Sequence, residues 1–136
     1  MKKKRILLVD DEPKFTRMFR INLEKSVSYE VKEVNDSKQA VAVAEQFKPD
    51  LAVLDVMMPG MDGGDIDARF KRHPFLKDMP VLFLTAAVAQ GEAGRQGYRS
   101  GGLLFLAKPI TLAALVESIE TTLREKPACG GRVTDF

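Results

Sequence analysis

Apolar residues recur in five short runs along the chain, at Arg5–Val9, Tyr29–Val34, Leu51–Leu54, Val81–Leu84 and Leu103–Ala107. Each is too short for a stable helix and is rich in Val, Ile, Leu or Phe, so each predicts a strand. The stretches between them carry helical spacing instead. Phe15, Met18, Phe19 and Leu23 recur every three to four residues behind Pro13, a residue suited to a first helical turn. A second helix is predicted from Ser37, read as its N-cap, through Ala40, Val41, Ala44 and Phe47 to a stop at Pro49. A third covers about Gly64 to His73 and ends before Pro74. The last, Thr111 to Glu125, puts Leu112, Leu115, Val116, Ile119 and Leu123 on one face. Between the fourth and fifth strands, Val88 to Ser100 reads as a weak helix, because Gly91, Gly94 and Gly97 each cost a helix interior roughly 0.5–1 kcal/mol relative to alanine.

Five strands alternating with five helices imply right-handed crossovers and a parallel sheet covered on both faces, an α/β doubly wound architecture. Central strands of such a sheet are buried on both sides, which suits the nearly continuous apolar runs. No internal repeat or low-complexity tract interrupts the alternation. One domain, residues 4–126, accounts for it, followed by a flexible C-terminal tail at 127–136.

Composition narrows the class. The chain has 136 residues, 45% of them hydrophobic and 29% charged, which is a globular mixture that needs no disulfide or structural metal to fold. Its 21 basic and 19 acidic side chains leave a formal charge of +2, too small to imply a nucleic-acid or membrane partner. The basic start Lys2-Lys3-Lys4-Arg5 is followed by an apolar run that stops at Asp10, too short for an export signal. Cys129 is the one cysteine and has no internal partner, which permits a reducing compartment. A cytoplasmic protein is expected.

In an open α/β sheet, ligands bind beyond the carboxyl ends of the strands. Strand one ends in Asp10-Asp11-Glu12, strand three in Asp55, strand four in Thr85 and strand five in Lys108-Pro109. A single charge on a loop is ordinarily just solvated; four of five strand ends carrying ion-binding or reactive side chains is a pattern. If strands one and three are neighbours, Asp10, Asp11 and Asp55 converge, and each pair at ~4 Å repels by about 4 kcal/mol at an effective dielectric of 20. A cation must then sit among them. Oxygen ligands without His or Cys suit a hard ion, and Mg²⁺ that keeps waters and shares a phosphoryl group fits best. Lys108 supplies a point charge for a phosphate oxygen and Thr85 a hydroxyl donor. A carboxylate so flanked is equipped to attack phosphorus and form an aspartyl phosphate, by positioning and charge neutralisation alone. His73, near a helix end, reads as a surface residue outside this chemistry.

These residues resemble the receiver domains of bacterial response regulators. The similarity runs through Leu7-Leu8-Val9-Asp10-Asp11-Glu12-Pro13, Leu54-Asp55-Val56-Met57-Met58-Pro59-Gly60-Met61-Asp62-Gly63, Leu84-Thr85-Ala86 and Phe105-Leu106-Ala107-Lys108-Pro109. The resemblance implies a flavodoxin-like five-stranded sheet of order 2-1-3-4-5, the order for which a chemotaxis receiver is a standard example. It makes Asp55 the phospho-acceptor, Asp10, Asp11, Asp55 and the Met57 backbone carbonyl the Mg²⁺ ligands, Thr85 and Lys108 the phosphoryl contacts, and Thr85 and Phe105 the switch pair. It also implies a cis Lys108–Pro109 peptide. A plain core aromatic is the competing reading of Phe105. The implied function is a phosphorylation-dependent switch of a two-component or phosphorelay system. Its donor is a sensor histidine kinase or histidine phosphotransfer protein, its reader is a partner protein at the face built by the weak fourth helix, strand five and the last helix, and its assembly is a monomer or phosphorylation-dependent dimer. The chain catalyses only its own phosphoryl transfer and dephosphorylation. Gly101-Gly102-Leu103-Leu104 departs from the small and acidic residues usual there, and this bears on partner choice rather than on phosphorylation.

Three rival readings are weaker. A phosphatase or phosphotransferase acting on a small molecule needs a cap domain that 136 residues do not accommodate. An interaction module that has lost the switch does not explain Asp10, Asp11, Asp55, Thr85 and Lys108 together. A DNA-binding regulator needs more than Pro127 to Phe136 after the last helix, unless the chain is a piece of a longer protein.

Overall fold

The computed structural model describes residues 3–85, 98–100, 103–107 and 110–125. In chain order the elements are β1 (Lys4–Val9), α1 (Pro13–Glu24), β2 (Tyr29–Val34), a 3₁₀ turn (Ser37–Gln39), α2 (Ala40–Phe47), β3 (Leu51–Asp55), α3 (Gly63–Lys71), β4 (Val81–Thr85), β5 (Tyr98–Ser100), β6 (Leu103–Ala107) and α4 (Leu112–Glu125). The described strands form one sheet in the order β2-β1-β3-β4-β6-β5. The five predicted strands are β1, β2, β3, β4 and β6. They pair in parallel and reproduce the expected order, with registers such as Val9↔Val34, Val9↔Leu54, Asp55↔Leu84 and Thr85↔Ala107.

Period-two alternation within each strand divides the core into two layers. On one face Leu7, Val9, Ala52, Leu54, Val81 and Phe83 pack against Ala40 and Ala44 of α2 and Ile66 and Phe70 of α3. On the other, Ile6, Leu8, Leu51, Val53, Leu82, Leu84 and Leu106 meet Phe19 and Leu23 of α1 and Leu115 and Ile119 of α4. Full burial of each of the Val, Leu, Ile and Phe side chains among these stabilises the fold by about 1.5–3 kcal/mol, so these two layers are the main attractive term. At one edge of the sheet, β2 alternates buried Tyr29, Val31 and Val34 with exposed Glu30 and Lys32.

The structure departs from the sequence-based expectation at four places. The predicted weak helix at Val88–Ser100 falls almost wholly outside the described residues, but its last three residues form β5, antiparallel to β6 with Ser100 opposite Leu103. Asp36 rather than Ser37 caps the second helical segment, its Oδ1 accepting from Lys38 N at 3.0 Å. Ser37 is buried and donates its hydroxyl to Pro59 O at 3.2 Å. Helix α3 starts at Gly63, because Asp62 and Asp65 form a reciprocal capping box, Asp65 N to Asp62 Oδ1 at 2.8 Å and Asp62 N to Asp65 Oδ2 at 3.2 Å. His73 is half-buried rather than a free surface residue, with Nε2 2.8 Å from Glu45 Oε2 on α2. The starts of α1 at Pro13 and of α4 behind Thr111 are as expected, the Thr111 hydroxyl accepting from Ala114 N at 3.0 Å. The tail at 127–136 lies outside the described residues. Among them, no helix is long and apolar enough to cross a membrane.

Candidate functional site

The last rung of the β1–β3 ladder is Val9↔Leu54, so the residues that follow it, Asp10 just beyond β1 and Asp55 at the end of β3, lie side by side. Asp10 is 1% exposed and Asp55 5%, while Asp11 faces solvent. One carboxylate oxygen from each of the three lies within 4.8 Å of the others. Sequence reasoning required this convergence, and the parallel adjacency of β1 and β3 produces it.

Main-chain donors hold the buried acids in place. Glu12 N donates to Asp10 Oδ1 at 2.9 Å, and Met57 N to Asp55 Oδ1 at 3.3 Å. The Asp10 peptide is tied to β2, its N–H donating to Val34 O at 3.0 Å and its carbonyl accepting from Asn35 Nδ2 at 2.8 Å. Behind Asp55, Val56 N donates to Leu84 O at 2.9 Å and Gly63 N to Val56 O at 3.1 Å, which seats the start of α3 directly against the end of β3. A Cβ at Gly63 would stand 2.6 Å from the Asp55 carbonyl oxygen. Only glycine fits that approach, and the sequence reading gave Gly63 no role beyond its place in a motif. The nearby Asn35–Thr16–Glu33 hydrogen bonds end in Arg20, where the hydrogen bond to Glu33 is the main influence raising the guanidinium above its ordinary pKa.

Two carboxylates buried at the end of an apolar sheet and a third beside them form a group that could hold a cation. The donor set is oxygen only, with one exposed member, which suits a hard divalent ion that retains waters. The residues present therefore fit Mg²⁺ on chemical grounds.

Thr85 ends β4, one residue past Leu84, the residue that faces Asp55, and is 3% exposed. Phe105 is partly buried on the α2/α3 face, where its ring stacks on Phe83 with centroids 5.0 Å apart and planes 17° from parallel. Lys108 and Pro109, and with them the expected lysine contact and cis peptide, lie outside the described residues. His73 is not brought to the site. It lines a cavity of about 450 Å³ with Glu45, Lys48, Pro49, Phe75 and Leu76, at the opposite end of β3 from Asp55.

Residues 6–120 match the response regulator receiver domain family. The chain belongs to that family. This receiver is 37% identical over 120 residues to the DNA-binding dual master transcriptional regulator RpaA of Synechocystis, covering 88% of the chain and 49% of that protein. It is 38% identical over 122 residues to the response regulator PleD of Caulobacter vibrioides, covering 90% of the chain and 26% of PleD. The receiver thus spans about half or less of these curated relatives. Its fold matches a crystal structure of a response regulator from Chloroflexus aurantiacus, with a TM-score of 0.75 at 28% identity, over 91% of this chain and 100% of that one. The chemotaxis protein CheY4 of Vibrio cholerae matches with a TM-score of 0.74 at 26% identity, over 88% and 98%.

Proposed function

We propose that the chain is a phosphorylation-dependent signalling switch in which Asp55 accepts a phosphoryl group from a histidine kinase or a histidine phosphotransfer protein. The observation that carries this reading is the convergence of Asp10, Asp11 and Asp55 at the carboxyl end of β1 and β3 in a receiver domain. Asp10, Asp11, Asp55 and the Met57 carbonyl would hold Mg²⁺. When bound, the ion neutralises charge on the carboxylates and on the equatorial phosphoryl oxygens.

An Asp55 oxygen attacks phosphorus in line with the phosphohistidine leaving group. The new O–P bond forms as the P–N bond breaks, and the imidazole departs with the electron pair. No general base takes part, since an ionised carboxylate is already the nucleophile. Thr85 would donate its hydroxyl, and Lys108 its ammonium, to the transferred group. Drawing Thr85 toward the phosphoryl opens space that Phe105 can enter, so the surface around β6 and α4 would change and be read by a partner protein. Stacking of Phe105 on Phe83, on the face that alternation also gives Thr85, supports that coupling.

Incubation with a small phosphoramidate donor and Mg²⁺, followed by intact mass measurement, tests the assignment. One phosphoryl increment is expected for the wild type and none for Asp55→Asn or for wild type in excess chelator. An equal increment in Asp55→Asn rejects Asp55 as acceptor.

A further inference from the structure

We propose that Asn35 is a positioning residue for the acidic site. Its side-chain amide replaces the backbone rung that would follow the last β1–β2 pair and fixes the Asp10 peptide to helix α1 through Thr16. The inference rests on reading Asp10 as a cation ligand.

The ladder pattern shows what Asn35 replaces. Asp10 N donates to Val34 O at 3.0 Å, so in a continuing parallel ladder the donor to Asp10 O would be the backbone N–H of residue 36. At that point β2 turns away: Asp36 becomes the cap of the next turn, its carboxylate accepting from Lys38 N. The donor found at Asp10 O is Asn35 Nδ2, at 2.8 Å. The chain can therefore leave the sheet toward α2 while Asp10 stays held at both its N–H and its carbonyl.

The second amide hydrogen is also used. Asn35 Nδ2 lies 2.9 Å from Thr16 Oγ1, and Thr16 is fully buried in α1. Thr16 Oγ1 is also 2.9 Å from Glu33 Oε1 and 3.2 Å from Pro13 O, both acceptors only. The single hydroxyl proton is shared between these two acceptors, and an oxygen lone pair is left for Asn35. One donor assignment satisfies every contact, from Asn35 outward to Asp10 on one side and through Thr16 to Glu33 on the other. A side chain that offers two N–H donors from one atom at this length is required. Aspartate offers none, and serine or threonine offers one.

Asp10 Oδ1 is engaged by Glu12 N, which makes the direction of the remaining oxygen a function of the Asp10 backbone. Mg²⁺ demands near-ideal octahedral geometry, and loss of an outer contact that orients a ligand ordinarily weakens metal binding about 10- to 100-fold. Asn35 stands in that relation to Asp10 without touching the ion.

The test is a Mg²⁺ titration of the full chain, followed by amide NMR shifts at Asp10, Asp11 and Asp55, in wild type, Asn35→Ala, Thr16→Val and Leu23→Ala. Leu23→Ala loosens α1 packing without touching the network and controls for general destabilisation. The expected result is a Kd raised about tenfold in Asn35→Ala, a smaller rise in Thr16→Val and an unchanged value in Leu23→Ala. Wild-type affinity in Asn35→Ala, or an equal loss in Leu23→Ala, overturns the proposal while leaving the cation site intact. A wild type whose three aspartates do not respond to Mg²⁺ at all overturns the cation reading itself, and the role of Asn35 falls with it.

Discussion

Gly63 shows how much a missing side chain can matter at this site. The atoms a Cβ would meet are the Asp55 carbonyl oxygen at 2.6 Å and Val56 Cα at 3.2 Å, both backbone, so no rotamer change relieves the clash. Gly63→Ala is expected to cost about 1–3 kcal/mol through overpacking, more than the up to ~1 kcal/mol that alanine gains over glycine in a helix. Gly64→Ala meets only Asp62 Oδ1, at 3.4 Å, and should be close to neutral. Urea unfolding of the two variants separates them; equal midpoints would show that the contact at Gly63 relaxes freely. Gly63→Ala should also slow phosphorylation, because relief of the clash moves the Asp55 backbone. The sequence places both glycines beside each other and gives no sign of which is constrained. Their difference arises from packing between the start of α3 and the end of β3. Asp10, Asp11, Asp55 and Thr85 were legible for the opposite reason, since their position at strand ends follows from strand boundaries alone. The hydrogen bonds of Asn35 and Thr16 were not, since they depend on how α1 lies against β2.

Element ends carry the next group of effects. The capping box of α3 uses Asp62 and Asp65 to satisfy two otherwise unpaired backbone donors, and Asp62→Ala should lower stability by about 1 kcal/mol, read as a reduced urea midpoint. At the far end of the sheet, Tyr29 of β2 donates to Glu120 Oε2 of α4 at 3.3 Å. Burial, reinforced by the Glu120 charge, pushes the Tyr29 phenol up to about 12 from an ordinary 10.0. The folded state therefore favours the neutral phenol. That contribution is complete below pH 10 and is lost as pH rises from 10 to 12. Thermal melts over this range should show a stability decline that is shallower in Tyr29→Phe; parallel declines would remove Tyr29 from the explanation. Strands and long helices were readable because burial imposes a period of two or of three to four. Caps and hairpins were less so: Asp36 and Ser37 are both good cap residues, and only the contact of Ser37 with Pro59 decides between them. The β5–β6 pairing was obscured by glycines that read as a weakened helix, although Gly101-Gly102 between two strand-forming stretches is itself a turn signal.

At the scale of the molecule, the fold brings three acidic side chains together at one end of the sheet. With carboxylate oxygens within 4.8 Å of one another, a bound cation would lower their mutual repulsion. Saturating Mg²⁺ should raise the melting temperature of the wild type by a few degrees. Without Mg²⁺, Asp55→Asn should melt above wild type, and the gap should narrow as the ion is added. A variant that melts below wild type in chelator would mean that Asp55 is worth more to the fold as an anion than its neighbours oppose. The sheet edge at β2 has a consequence of a different kind. Its outward backbone groups are the ones another chain could add to, and the two exposed side chains along it, Glu30 and Lys32, carry charge between buried Tyr29, Val31 and Val34. Replacing both with valine would leave Tyr29 to Val34 with a single charge, at Glu33, and high strand propensity, the composition of an aggregation-prone segment. Exposed charge at Glu30 and Lys32 is of the kind that blunts an open edge against strand addition, and the double valine variant should form fibrils, read by thioflavin fluorescence, where the wild type does not.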